Sequence, residues 1–212
     1  MEYQEQLKRI YPTRAQMMKR VARFKTLKGF DGGLPDSNYP SAVRTLFNVI
    51  GFQPPEGEGG GIQSPVGAQS SRKAAIKITE GFNLGYCTAL PGKGPMMHNH
   101  DTNETFIAMT GKWRCSWELK NGKVEHVDLD PLDVISFPPG AIRRFMNVTK
   151  GPKNKESILM FVIGGNEPLT TSAPLLIALI RVGSRPEASG SNWLPFTWQV
   201  AQSARLPGNS TS

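Results

Sequence analysis

Residues 92–111 read GKGPMMHNHDTNETFIAMTG, and the spacing inside this stretch decides how the whole chain is read. His98 and His100 stand two apart, and Glu104 follows four residues later. On an extended strand, residues i and i+2 face the same way, so both imidazoles can point to one side of a sheet. A bend through Asp101, Thr102 and Asn103 would bring Glu104 onto the same patch. The surroundings suit strands. Short apolar runs bounded by Gly, Pro, Asn or Asp cover 73–79, 82–90, 104–110, 112–119, 123–129, 133–137, 143–148 and 157–163. Asn121-Gly122 between two of these runs predicts a two-residue hairpin whose central residues both take positive φ. A dense series of short strands of this kind predicts an all-β closed barrel or jelly roll, which removes open edges by pairing around the circle.

Two neutral imidazoles and one carboxylate form the facial ligand set that suits Fe(II), with coordination positions left for substrate, oxygen or water. The same set accepts Mn, Ni, Co or Zn. Triplets of this kind are also common on protein surfaces, and the flanking residues separate the two readings. Gly92 lies six residues before His98 and Gly111 seven after Glu104, which completes G-x5-H-x-H-x3-E-x6-G.

That pattern resembles the first motif of the cupin superfamily without a mismatch. Downstream, residues 138–147 read PPGAIRRFMN and match the second cupin motif, P-x-G-x2-H-x3-N, except that Arg143 stands where the family has histidine. The glycine usual at the head of that motif is also missing, with Leu132 in its place. The resemblance covers roughly residues 73–165 and implies a cupin double-stranded β-helix, a jelly-roll barrel, holding one divalent metal through His98, His100 and Glu104. Fe(II) is the favoured ion. In metal-binding members of the family the position of Arg143 usually supplies a fourth ligand, but a guanidinium has no free lone pair and stays charged. Three arrangements are open. Arg143 grips a substrate carboxylate or enolate beside a three-ligand metal; or it forms a salt bridge with Glu104 in a barrel that has lost its metal; or it turns outward and water completes the metal shell.

Alternation places Phe106 and Ala108 on the face of Glu104, and Trp113, Cys115 and Trp117 on another set that lines the cavity or packs behind it. Tyr86 and Met97 are weaker candidates for the cavity wall, and His126 lies outside both motifs. Cys87 and Cys115 are too few for a disulfide framework and read as buried free thiols.

Around the barrel (62–166) the sequence sets an N-terminal arm (1–61) and a C-terminal extension (167–212). Residues 1–30 carry eight Lys or Arg against two Glu, a local balance of +6 out of a net +8. Thr13 and Gln16 form a capping box, and Met17, Val21 and Phe24 recur at helical spacing, which predicts one amphipathic basic helix over 14–27. The apolar segment 43–52 fits helix and strand alike. Residues 54–61, PPEGEGGG, read as a linker, 175–180 as a short buried helix, and Trp193, Phe196 and Trp198 as anchors in an otherwise irregular tail. The opening MEYQEQLKRIY lacks the apolar run of a signal peptide and no segment approaches membrane-spanning length, so a cytoplasmic chain without membrane contact is expected. The Gly/Pro-rich stretch 29–40 offers no second helix for a helix-turn-helix, so sequence-specific nucleic-acid binding is not expected.

The leading expectation is a metal-dependent oxidoreductase, a dioxygenase acting on a small acidic or enolisable molecule, with Glu104 and Arg143 as catalytic residues. The alternatives are a non-catalytic small-ligand-binding module and a metal-assisted isomerase or lyase. The resemblance also implies a homodimer.

Overall fold

Along Ser157–Gly164 every second residue is buried and the others are half-buried, the pattern of a strand with one face on a core. This strand, β9, lies at the centre of one of two five-stranded antiparallel sheets. The structure, a computed structural model, describes residues 9–32, 34, 36–51, 65–66 and 73–172. The remaining strands are β1 (Thr45–Ile50), β2 (Phe82–Ala89), β3 (His98–His100), β4 (Glu104–Ala108), β5 (Trp113–Glu118), β6 (Val124–Leu129), β7 (Val134–Phe137), β8 (Arg143–Asn147) and β10 (Thr170–Ser172). The first sheet runs β1-β2-β9-β4-β7 and the second β10-β3-β8-β5-β6. Most neighbours are distant in sequence, so the chain passes repeatedly from one sheet to the other, as in a jelly roll.

The core lies between the sheets. Phe106 and Phe137 from the first sheet meet Phe145 and Trp113 from the second. Ring centroids are 4.9 Å apart for Phe106–Phe145, 5.9 Å for Phe106–Phe137 and 5.8 Å for Trp113–Phe145, all near edge-to-face. Leu159 and Ile163 of β9 and Ala108 of β4 fill the space around them. Trp117 is half-buried against the edge of this cluster. Cys87 and Cys115 are fully buried in it, and burial pushes both thiols up to about 12. Neither thiol should therefore react with a disulfide reagent in the native protein, and both should react once denaturant opens the barrel; labelling stoichiometry with and without denaturant checks this.

Seven of the expected strand runs are β2 and β4–β9. The run 73–79 is not a strand: Ile76 makes one isolated bridge to Ile50, because only Ala74 and Ile76 turn inward and the backbone leaves the end of β1 after three hydrogen bonds. The ambiguous segment 43–52 holds β1. Among the described residues, two of the ten strands, β1 and β10, come from outside 62–166. The hairpin at Asn121-Gly122 also differs from expectation. Only Gly122 has positive φ, and the Gly122 N–H donates to Leu119 O while the Leu119 N–H donates to Lys123 O. This is a three-residue loop in which a turn is followed by one left-handed glycine, the next commonest hairpin solution.

The helix expected over 14–27 is broken. The capping box forms, with Thr13 Oγ1 accepting from Gln16 N and Gln16 Oε1 accepting from Thr13 N, but the α-helix α1 covers only Arg14–Met18. A 3-10 turn follows at Phe24–Thr26. Nothing in α1 is buried, and short helices without a packed face are marginal in water. Phe24 docks instead, its ring 5.4 Å from Phe47 and 5.3 Å from Tyr86. Tyr86 therefore packs under the arm on the outer face of the sheet. Among the described residues no helix is long and apolar enough to cross a membrane. The expected linker at 54–61, the helix at 175–180 and the aromatic tail lie outside the described residues.

Candidate metal centre

Strand β3 is short because it consists of the two histidines and the residue between them. It is held on one side by β10, with Thr170 opposite His100, and on the other by β8, with Arg143 opposite His98. The turn at the head of the second motif adds a further tie, since Gly140 N–H donates to His100 O at 2.8 Å. Both imidazoles face the core side, with ring centroids 5.2 Å apart. Glu104 opens β4 in the opposite sheet and is 4% exposed. The bend after His100 thus carries the chain from one sheet to the other and places the carboxylate across from the imidazoles.

The hydrogen bonds fix the tautomers. A carbonyl oxygen only accepts, so His98 Nδ1–H donates to Met96 O at 2.7 Å and His100 Nδ1–H donates to Leu169 O at 3.0 Å. In each neutral ring this leaves Nε2 with its lone pair, as the backbone partners of metal-bound histidines do. Burial, reinforced by the positive charge of Arg143, pushes His98 down to about 3, so the ring is neutral at physiological pH. One ligand atom from each of His98, His100 and Glu104 lies within 4.8 Å of the others. His100 Nε2 is 3.4 Å from Glu104 Oε2. Two atoms bound about 2.1 Å from one tetrahedral metal stand roughly 3.4 Å apart, so this spacing fits a shared ion. The cavity bordered by these three residues, with Arg44, Phe145 and Phe161, is about 30 Å³, room for an ion or a water. The donor set and its tautomers fit a divalent metal.

Arg143 points inward and is 2% exposed. Its Nη2 donates to Glu104 Oε2 at 2.6 Å and its Nε to the same oxygen at 3.1 Å, while Nη1 reaches His98 O at 3.3 Å. The guanidinium is therefore engaged with Glu104 and does not present its fork to the cavity, contrary to the favoured expectation of a substrate clamp. The reason is that two opposite charges buried together must satisfy each other. Burial alone pushes the Glu104 carboxyl well above its usual range and brings Arg143 down to about 9, and the direct contact opposes both shifts.

The other motif positions are structural. Asn147 is fully buried, and its Nδ2 donates to Ala89 O at 2.7 Å, tying β8 to the end of β2. Gly111 has φ +70, and a Cβ there would collide with Ser157 Oγ and Thr149 Oγ1. Leu132 occupies the place of the missing motif glycine and still takes φ 77, as the residue after Pro131 in a turn closed by Asp133 N–H to Asp130 O at 3.0 Å. That turn type favours glycine at this position. Leu132 is 75% exposed, so its side chain contributes little packing. Leu132→Gly should therefore raise stability by about 1 kcal/mol in a urea melt.

Met97 is buried but does not line the cavity, and His126 is exposed on β6, away from the site. Sequence reading missed Arg44, which borders the cavity from just before β1, and Leu169, whose carbonyl orients His100. No motif flags either residue.

Across the site, two histidines from one sheet face a glutamate from the other, with the second-motif strand β8 beside them, inside a jelly roll of two five-stranded sheets. The chain has a cupin fold. No protein-family model matches it, and no curated protein matches its sequence. Solved structures similar to this chain include peruvianin-I, a cysteine peptidase from Thevetia peruviana latex, at 16% identity and TM-score 0.49, with 77% of this chain and 83% of that chain covered. Oxalate decarboxylase from Lactobacillus farciminis, in a formate complex, is 12% identical with TM-score 0.46; 73% of this chain is covered but only 36% of that one. A cupin-2 domain from Rhodospirillum rubrum is 12% identical with TM-score 0.45, over 76% of this chain and 86% of that chain. At these identities the likeness concerns the fold alone.

Proposed function

We propose that this cupin binds one divalent metal, Fe(II) by preference, through His98, His100 and Glu104, and acts as an oxygenase on a small acidic or enolisable molecule. The observation that carries the reading is the pair of Nδ1–H to backbone hydrogen bonds, which leaves both histidines with Nε2 lone pairs next to a buried carboxylate. A bound divalent ion would supply Lewis acidity and, as Fe(II), redox chemistry. The protein groups do the rest. Met96 O and Leu169 O hold the imidazoles in one orientation. Arg143 is a positioning residue: its two hydrogen bonds fix Oε2 of Glu104 and cancel the carboxylate charge. The protein part of the site is thereby neutral before a metal enters, so an M²⁺ ion keeps its full positive charge and favours an anionic ligand. Phe145 and Phe161 form apolar walls beside the polar ligand groups of the cavity.

A metal-free ligand-binding barrel is the second reading, favoured by the Arg143–Glu104 pair, in which Glu104 already has a counter-charge. Metal titration separates the two. The wild type should bind one equivalent of Fe(II) or Mn(II), His98→Ala should weaken binding more than about 100-fold, and oxygen uptake should follow the metal. A folded wild type that takes up no metal at millimolar concentration would rule out the first reading.

A further inference from the structure

Besides the three metal-ligand candidates, the cavity has one more charged neighbour. Arg44 lies just before β1, its side chain is 8% exposed, and it borders the same 30 Å³ space as His98, His100 and Glu104. Of its terminal nitrogens, Nη1 is fully used and Nη2 uses one of its two N–H groups. Nη1 donates to both carboxylate oxygens of Asp36 at 3.1 Å and to Ala42 O at 2.8 Å, and Nη2 donates to Asp36 Oδ1 at 3.1 Å. Asp36 is itself anchored, because its Oδ2 accepts from Met96 N at 2.9 Å, two residues before His98. The guanidinium is thus clamped at its far end to the loop that feeds the histidine strand.

Arg44 Nε–H is buried and, among the described residues, has no hydrogen-bond partner. Leaving a charged donor unpaired in the interior is costly, and such orphans are rare in native proteins. Arg143 cannot serve the cavity in the same way, since both its Nε and its Nη2 already reach Glu104. Nor can the imidazole Nδ1–H groups, which are tied to carbonyls.

We infer that Arg44 is the residue that selects the ligand: its Nε–H donates to one oxygen of a small carboxylate that reaches into the cavity beside the metal. The inference rests on the functional reading above for the metal, but the carboxylate contact is made by protein. With about 30 Å³ available, only one oxygen of the entering anion reaches in beside a metal and the rest stays at the mouth, so formate and acetate, the smallest carboxylates, are suitable probes.

The decisive variant is Arg44→Lys. Lysine keeps the positive charge and can pair with Asp36, but it has no N–H at the position of Nε. Calorimetric titration of formate and acetate would be done on Mn(II)-loaded and on metal-free protein, and Mn(II) affinity would be measured separately. The expected result is a 10- to 100-fold weaker carboxylate affinity in Arg44→Lys with Mn(II) affinity within about threefold of wild type, the loss typical of one charge-assisted hydrogen bond. If Arg44→Lys fails to fold, Asp36→Asn/Arg44→Met, which has no donor at the position of Nε, removes the buried ion pair as a unit and should show the same loss. Equal carboxylate affinity in wild type and folded variant overturns the inference, as does a Mn(II)-loaded wild type that binds neither anion. A wild type that takes up no Mn(II) but binds formate in an Arg44-dependent way refutes the metal reading and leaves this inference standing; a wild type that takes up no Mn(II) and binds neither anion refutes both.

Discussion

Arg143→Leu should lower the unfolding free energy of the metal-free protein by about 3–5 kcal/mol at neutral pH, read from denaturant melts. The substitution leaves Glu104, 4% exposed, without the guanidinium that contacts it at 2.6 Å. The double variant Glu104→Leu/Arg143→Leu should recover most of that loss, because it removes both charges and leaves apolar side chains between the sheets. The deficit of the single variant should depend on pH in a defined direction. Burial raises the Glu104 carboxyl above its unfolded value, so the folded state holds the proton more tightly. Stability linked to such a group is fully present below the unfolded pKa and is lost as pH rises through the folded one. Arg143→Leu should therefore approach wild type near pH 4 and fall behind it toward pH 7. Added Mn(II) should rescue Arg143→Leu more than it stabilises wild type, since the ion then becomes the only counter-charge for Glu104. A cost below about 1 kcal/mol that does not change with pH would mean that the pair is not buried as a unit.

Phe106→Ala is the second large effect, with an expected loss of about 3–5 kcal/mol. Phe106 is fully buried, and its ring meets Phe137 within its own sheet and Phe145 across the gap. Its removal opens a cavity between two sheets that are each held rigid by backbone ladders, so the walls cannot collapse to fill it. The loss should appear in both thermal and denaturant melts. Val134→Ala, at a side chain 58% exposed on the edge strand β7, should by contrast stay within about 0.5 kcal/mol of wild type. Because Phe145 also borders the cavity at His98, His100 and Glu104, Phe106→Ala should in addition weaken the proposed Mn(II) binding modestly through a looser β8.

The barrel strands were legible because their residues alternate over short runs bounded by turn formers, and alternation is a local property. Seven runs were found in this way, each within a residue or two of its observed ends. The run 73–79 shows the limit of that logic: it alternates, with Ala74 and Ile76 buried, but its backbone meets the edge strand β1 only at one bridge. The helix over 14–27 failed for the complementary reason. Of its apolar stripe Met17, Val21 and Phe24, the first two remain 45% and 44% exposed and Phe24 docks apart from α1, and a stripe without a surface to cover it does not sustain a helix. Leu132 shows the backbone winning over the residue: the turn keeps its left-handed position although the glycine that suits it is gone.

For the site, the sequence by itself determined the three ligand candidates and the oddity of Arg143, because strand periodicity puts i and i+2 on one face and because a guanidinium cannot coordinate a metal. Which partner Arg143 takes was a matter of tertiary structure. Glu104 and Arg143 are 39 residues apart and lie in different sheets, and only the packing of those sheets sets them 2.6 Å apart. The same holds for the carbonyls that fix the histidine tautomers, one of them 69 residues downstream at Leu169, and for Arg44, which no motif contains. Spacing along a strand is local and can be read from the letters; burial, charge pairing and an orphaned donor arise only when distant strands enclose one space.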